Sequence, residues 1–490
     1  MSDQSRALPD RPSLRYLKLE AKRRLSAGEF ATLDQAQLAI AREHGMSSWG
    51  ALKQHIEGAA SHALERVRWI ISRFAAADSP EWTPPGKAEL RRHFDDDYLS
   101  LLPPDKLMGM LGSVAGRLRE GLAEVRAEPL SLRARLADLR VEAATEPDPP
   151  HRLRRLRMYP LERKVADPRV AAPPTRASGA VPAEAAAVAA DSFAELGLAG
   201  LVVAGATDGS VWVTARGWAN LDQDDVLLPG HRFPAYAITK LITATTVLRL
   251  VADGQVGLDD PANSHLRTIR LADDAVTVRE LLSHTGGVED PAPMFDDRVT
   301  GPVVACGGQR GTFAYGNGGY AVLGGLIADV TGSRFADAAT RLVLEPLGMR
   351  GSSFPSSVPT GEVTTGHRLT DEGVFEHEPT RLSTVPAVGG LWTTAADLVR
   401  FGLAWSTLLP GELAREALRP QAARDDLGGQ VGLGWMLMLP KDVAGHPGAG
   451  PGFSASLIIR PGLGSGPYVV FTNRQVLVEP VNERLAFPLA

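Results

Sequence analysis

The chain has 490 residues, of which 44% are apolar and 22% charged, a balance that suits a soluble globular protein and excludes a disordered or fibrous one. Its net charge of -5 and pI near 6.2 supply no long-range pull toward nucleic acid or an anionic membrane, so neither is expected as a partner. Cys306 is the sole cysteine, which rules out an intramolecular disulfide and a cysteine-built zinc cluster and fits a cytoplasmic setting.

At roughly 150 residues per domain the length predicts about three domains. Residues 1–60 form the first, a small helical module: Leu14, Leu17, Ala21 and Leu25 recur at helical spacing, followed by Ala36, Leu38, Ala39 and Ile40, then Trp49, Leu52 and Ile56. Arg15, Lys18, Lys22, Arg23 and Arg24 read as a solvated helix face. No apolar leader precedes the module, and Leu196–Ala206, the longest apolar stretch of the C-terminal half, is too short to cross a bilayer and reads as a buried strand.

Residues 61–163 predict helices over His62–Ala76 and Asp105–Glu124, then alternating segments at Leu130–Ala144 and His151–Pro160, a small α+β domain. The run EPDPPHRLRRLRMYPL resembles the end of a steroid-isomerase-like cone domain. Together with the helical module, this domain is the expected place for a protein partner. Residues 164–183, rich in Pro, Ala and small polar residues, read as a linker. From 184 onward come a helix (Glu184–Leu196), two strands (Ala199–Ala206 and Val211–Gly217), a helical middle, and strands at Val431–Met438, Phe453–Arg460 and Tyr468–Thr472. Strands at both ends of this domain predict one antiparallel sheet assembled from both.

Chemistry concentrates in three segments. After Pro234 a helix is predicted, with Leu241, Ala244, Leu248 and Val251 spaced for burial and Gly254 placed to end it. It opens with Ala237-Ile238-Thr239-Lys240, so Lys240 lies one turn beyond residue 237 on the same face. Lysine stands out because the chain favours arginine, the C-terminal domain having only Lys441 besides, and because a desolvated lysine can act as a base where arginine cannot. Tyr315-Gly316-Asn317 precedes a second helix; a phenol near a lysine ammonium is expected to shift toward phenolate and relay a proton, and the amide to orient a substrate carbonyl. His446-Pro447-Gly448-Ala449 lies before Gly452-Phe453-Ser454, its small residues letting a substrate lie along a strand and His446 offering a polar or cationic edge. His284, in Ser283-His284-Thr285-Gly286-Gly287, reads as turn packing.

In order and spacing, these segments resemble the Ser-x-x-Lys, Tyr-x-Asn and Lys-Thr-Gly or His-x-Gly elements of the serine β-lactamase and penicillin-binding-protein superfamily, in its class C β-lactamase, D-aminopeptidase and esterase branch, across about 184–490. Gly257-Leu258-Asp259-Asp260-Pro261, Pro346-Leu347-Gly348-Met349, Gly389-Gly390-Leu391-Trp392 and Gly432-Leu433-Gly434-Trp435 match in the same order. The resemblance implies an α+β domain of antiparallel sheet and flanking helices with a helical subdomain. It implies a catalytic set of Ala237 (the nucleophile position), Lys240 and Tyr315, with Asn317, His446, Gly448 and Ala449 binding substrate, and an oxyanion hole from the amides of residues 237 and 449. The implied substrate is a small ester, amide or lactam handled through an acyl-enzyme, an esterase being favoured because histidine begins the third motif. No metal or other cofactor is implied.

Alanine departs from the pattern at the decisive atom. A methyl group cannot attack a carbonyl, and no Ser-x-x-Lys or Gly-x-Ser-x-Gly occurs elsewhere. Thr239 and Tyr236 point away from the direction of residue 237. The chain is therefore expected to be inactive: a serine hydrolase lacking its nucleophile or, alternatively, a natural pseudoenzyme that binds a ligand or partner.

Overall fold

A computed structural model describes residues 14–487 apart from 44–47, 51, 53–60, 162–164, 291–302, 425–428, 439–441 and 463–465. Ile56 of the helical module and Lys441 lie outside the described residues. The chain divides into two compact units, one within Met1–Leu161 and one spanning Glu162–Pro488.

In the first unit, helices Leu14–Ser26 and Leu33–Glu43 bury Leu17, Ala21, Ala36 and Ile40 against one another. Helix His62–Phe74, capped by the Ser61 hydroxyl, packs Val67, Ile70 and Phe74 on a four-stranded antiparallel meander: Leu122–Ala127, Ser131–Leu136, Leu139–Thr145 and Leu153–Pro160. The helix expected over Asp105–Glu124 is shorter. It runs Pro104–Ser113, is followed by one turn at Ala115–Leu118, and stops at Gly121, whose φ of 76° is left-handed. Beyond that glycine Leu122–Ala127 pairs with Ser131–Leu136 instead.

The second unit is built on one antiparallel sheet. From one edge its strands run Ala422–Ala423, Gln430–Val431, Met436–Met438, Val443–Gly450, Phe453–Ile459, Tyr468–Thr472, Gly200–Thr207, Ser210–Asn220 and Thr175–Ser178. The two halves join where Val470 sits opposite Val203. Alternation along Gly200–Thr207 explains its unbroken apolar run: Leu201 and Val203 face helices Ala183–Glu195 and Glu479–Ala486, while Val202 and Ala204 face the larger core. Two expectations change. Val431–Met438 is not one strand but two, folded back at Gly434 with φ 90°. The segment 164–183, read as a linker, supplies Thr175–Ser178 as an edge strand hydrogen-bonded to Ser210–Asn220; proline and small residues suit an edge as well as a linker. Among the described residues no helix is long and apolar enough to cross a membrane.

The larger core centres on the helix Thr239–Ala252, eleven of whose residues are buried. Phe471 from the strand Tyr468–Thr472 is fully buried and stacks on Phe233 at 4.8 Å, just ahead of that helix. Phe471→Ala is expected to lower unfolding stability by about 3–5 kcal/mol, read from urea titration, because the cavity it opens lies where sheet and helix meet.

Candidate active site

The site begins with a strained turn. Phe233–Pro234 pairs with Trp392–Thr393, and the Ala235 amide donates to the Leu391 carbonyl at 2.8 Å. Tyr236 then takes a φ of 45°, a left-handed conformation that costs a non-glycine residue about 1–3 kcal/mol. Its surroundings over-determine it: the ring is buried, the phenol donates to the Pro451 carbonyl at 3.3 Å, and Gly450 lies so close that a Cβ there would come within 2.2 Å of the ring. The chain continues through the short 3-10 turn Tyr236–Ile238 into the helix Thr239–Ala252. From Phe233 to Leu248 every residue is buried except Ala237, which is half-open.

Four threonines in a nearly all-buried helix need hydrogen-bond partners, and they find them. Thr245 and Thr246 donate back to the carbonyls of Leu241 and Ile242, both at 2.8 Å. Thr243 donates to the Ala387 carbonyl at 2.7 Å, and Thr239 accepts from the Leu391 amide at 3.2 Å. The last two tie the helix to segment 387–391 and fix residue 237 relative to it.

Lys240 is wholly buried. Its Nζ donates to Asn317 Oδ1 at 2.9 Å and to the Val388 carbonyl at 3.5 Å, and lies 5.0 Å from the Tyr315 ring centroid and 5.7 Å from that of Tyr320. Carbonyl dipoles and aromatic faces thus replace the water a buried ammonium gives up. Asn317 is itself placed by Asp290, whose carboxylate accepts from the backbone amides of Asn317 and, at 2.8 Å, of Gly318, capping the helix Gly318–Thr331 from a distant loop.

His446, on the strand Val443–Gly450, is buried with its ring 5.9 Å from Tyr315. Two residues on, a Cβ on Gly448 would lie 2.2 Å from the Ala235 carbonyl oxygen and 3.4 Å from the Ala237 nitrogen, so glycine lets this strand press against the turn. Ala449 is exposed. His284 has a φ of 57°, its ring lies tilted 4.7 Å from that of Tyr315 and 4.9 Å from that of Tyr320, and its Nδ1 accepts from the Gly316 amide at 3.4 Å.

The model of the family described as Beta-lactamase matches residues 141–487, more than half of the chain. The chain belongs to this family. It is 28% identical over 221 residues to penicillin-binding protein 4 of Amycolatopsis lactamdurans, covering 41% of this chain and 58% of that protein. It is 31% identical over 172 residues to the esterase EstB of Burkholderia gladioli, covering 30% of this chain and 44% of the esterase. The chain thus spans about half the length of these curated relatives. The D-amino acid amidase structure from Ochrobactrum anthropi SV3 superposes with a TM-score of 0.53 over 62% of this chain and 95% of the amidase, at 23% identity, a likeness of fold.

Within this β-lactamase-family domain the three sequence segments converge: Lys240 and Asn317 touch, and Tyr315 and His446 lie around them. Three expectations are revised. Tyr315 is not drawn toward phenolate. Desolvation raises its phenol above the usual value, Asp290 adds to the rise and Arg424 opposes it, and with 44% of the residue exposed solvent tempers the effect. His446 is not cationic, since burial, then the charge of Lys240, lowers its pKa to about 3. His284, read as turn packing, also lines the site, and burial followed by Lys240 keeps it neutral too. Sequence reasoning missed Asp290 and the Val388 carbonyl. Asp290 is 27 residues from Asn317 with no pattern linking them, and a backbone carbonyl carries no residue signal. Among the described residues no group of three or more His, Cys, Asp or Glu side chains is placed to hold a metal.

A histidine whose folded pKa is depressed opposes folding once the unfolded chain can take its proton. The unfolded state binds more protons from about pH 6.5 down to about 3, so stability is full above that window and falls through it. His446→Gln is expected to flatten the decline of unfolding free energy between pH 6.5 and 4, measured by denaturant titration beside the parent chain.

Proposed function

We propose that this chain carries the frame of a hydrolase that opens small esters, amides or lactams through an acyl-enzyme, and that Ala237 leaves the frame inert. The observation that carries this reading is the half-open position of Ala237, alone in a buried run, with the Gly448 backbone against it and Lys240, three residues on along the chain, bonded to Asn317. With serine at 237, Lys240 in its neutral amine form takes the hydroxyl proton as the oxygen attacks the substrate carbonyl carbon, the Tyr315 phenol gives its proton to the leaving group, and Lys240 returns a proton to the phenolate. The amides of residues 237 and 449 hold the oxyanion, and water then releases the acid. Because its shift is away from phenolate, Tyr315 serves best as the donor to the leaving group. A methyl group has neither lone pair nor labile proton, and loss of a nucleophile in comparable enzymes costs about 10⁶ in turnover.

Support for an ester or amide substrate comes from the esterase EstB among the relatives and from the histidine at the third motif. A second reading, a pseudoenzyme that binds without turnover, draws on the same observation, since the rest of the frame is present around residue 237.

Ala237→Ser, assayed beside the parent with p-nitrophenyl esters, nitrocefin and a D-amino-acid amide, is expected to turn over at least one probe or to gain an acyl mass by intact-protein mass spectrometry, the parent doing neither. A folded serine protein silent toward all of them rejects the hydrolase reading and favours the pseudoenzyme.

A further inference from the structure

His446 is held in one tautomer. Its Nδ1 lies 2.6 Å from the Pro447 carbonyl oxygen, which can only accept, so Nδ1 carries the proton and Nε2 is a bare lone pair. The residue is 2% exposed, and among the described residues nothing donates to Nε2. Buried acceptors are ordinarily satisfied, and one left open beside a binding site calls for an explanation. Its neighbour Tyr315, 5.9 Å away between ring centroids, is 44% exposed, and among the described residues its phenol makes no hydrogen bond.

Strand geometry sets how far Nε2 stands from the reacting centre. His446 precedes Gly448 by two residues, about 7 Å along the strand, and Gly448 abuts the Ala237 amide. We propose that His446 Nε2 accepts a hydrogen bond from a neutral donor of the ligand, an amide N–H or a hydroxyl near the scissile carbonyl, and that the site selects such ligands over those carrying a carboxylate there.

The inference rests on the hydrolase reading above and narrows its substrate. A carboxylate meeting Nε2 sets two acceptors face to face, and relief by protonating the imidazole is opposed by burial and by Lys240. The Lys240 charge disfavours an ammonium as well, and although it attracts a carboxylate from a distance, a carboxylate oxygen still finds no donor at Nε2.

The test uses the Ala237→Ser protein and the p-nitrophenyl esters of four acids: N-acetylalanine in both enantiomers, its N-methyl counterpart, succinic acid as the free monoester, and acetic acid as the reference. The N–H ester is expected to exceed the N-methyl ester in kcat/KM by about tenfold or more, with the succinate monoester below both. His446→Leu is expected to erase the gap between N–H and N-methyl esters, and His446→Gln, whose side-chain oxygen still accepts, to keep part of it. Turnover of the acetate with no such gap, a preference for the succinate, or a gap unchanged in His446→Leu overturns the inference and leaves the hydrolase reading standing. If folded Ala237→Ser turns over none of the esters, acetate included, the hydrolase reading falls and this inference with it.

Discussion

Tyr236, held left-handed, is the constraint on which the site depends. It turns the chain from the short strand Phe233–Pro234 into a buried helix and leaves residue 237 at the surface of an otherwise closed core. The strain is offset by close approach on two sides. Gly448 and Gly450 let the strand Val443–Gly450 lie directly on the turn, and Thr239 and Thr243 bind the helix to segment 387–391. Any side chain placed at 237 inherits that position, whether or not it can react.

The same packing makes Lys240 costly and useful at once. A buried ammonium is tolerated because Asn317, the Val388 carbonyl and two aromatic faces surround it. Its charge then acts on its neighbours: it helps keep His284 and His446 neutral, and so turns the third motif from a donor of positive charge into an acceptor. The polarity of the site follows first from how deeply these histidines are buried and then from the Lys240 charge, with Arg424 adding to it.

Much of this architecture was legible in the sequence because it is local or periodic. The run Gly200–Thr207, the helix after Pro234 and the order of the three motifs announce strands, helix and site. Interactions between distant residues were not legible: the edge strand Thr175–Ser178 in a stretch that reads as linker, and Asp290 reaching Asn317. Protonation was misread for a related reason. Motif spacing shows which groups come together, whereas the state of Tyr315 and His446 depends on how far each is removed from water.

The central claim is that the Lys240 ammonium stands beside whatever occupies position 237, and a reporter thiol tests it directly. Ala237→Cys, made with Cys306→Ser so that one thiol remains, is titrated by its rate of alkylation with iodoacetamide across pH. A neighbouring ammonium favours the thiolate, so the account predicts a thiol pKa clearly below the ordinary value of about 8.5. A pKa at or above that value, in a protein shown to be folded, contradicts it.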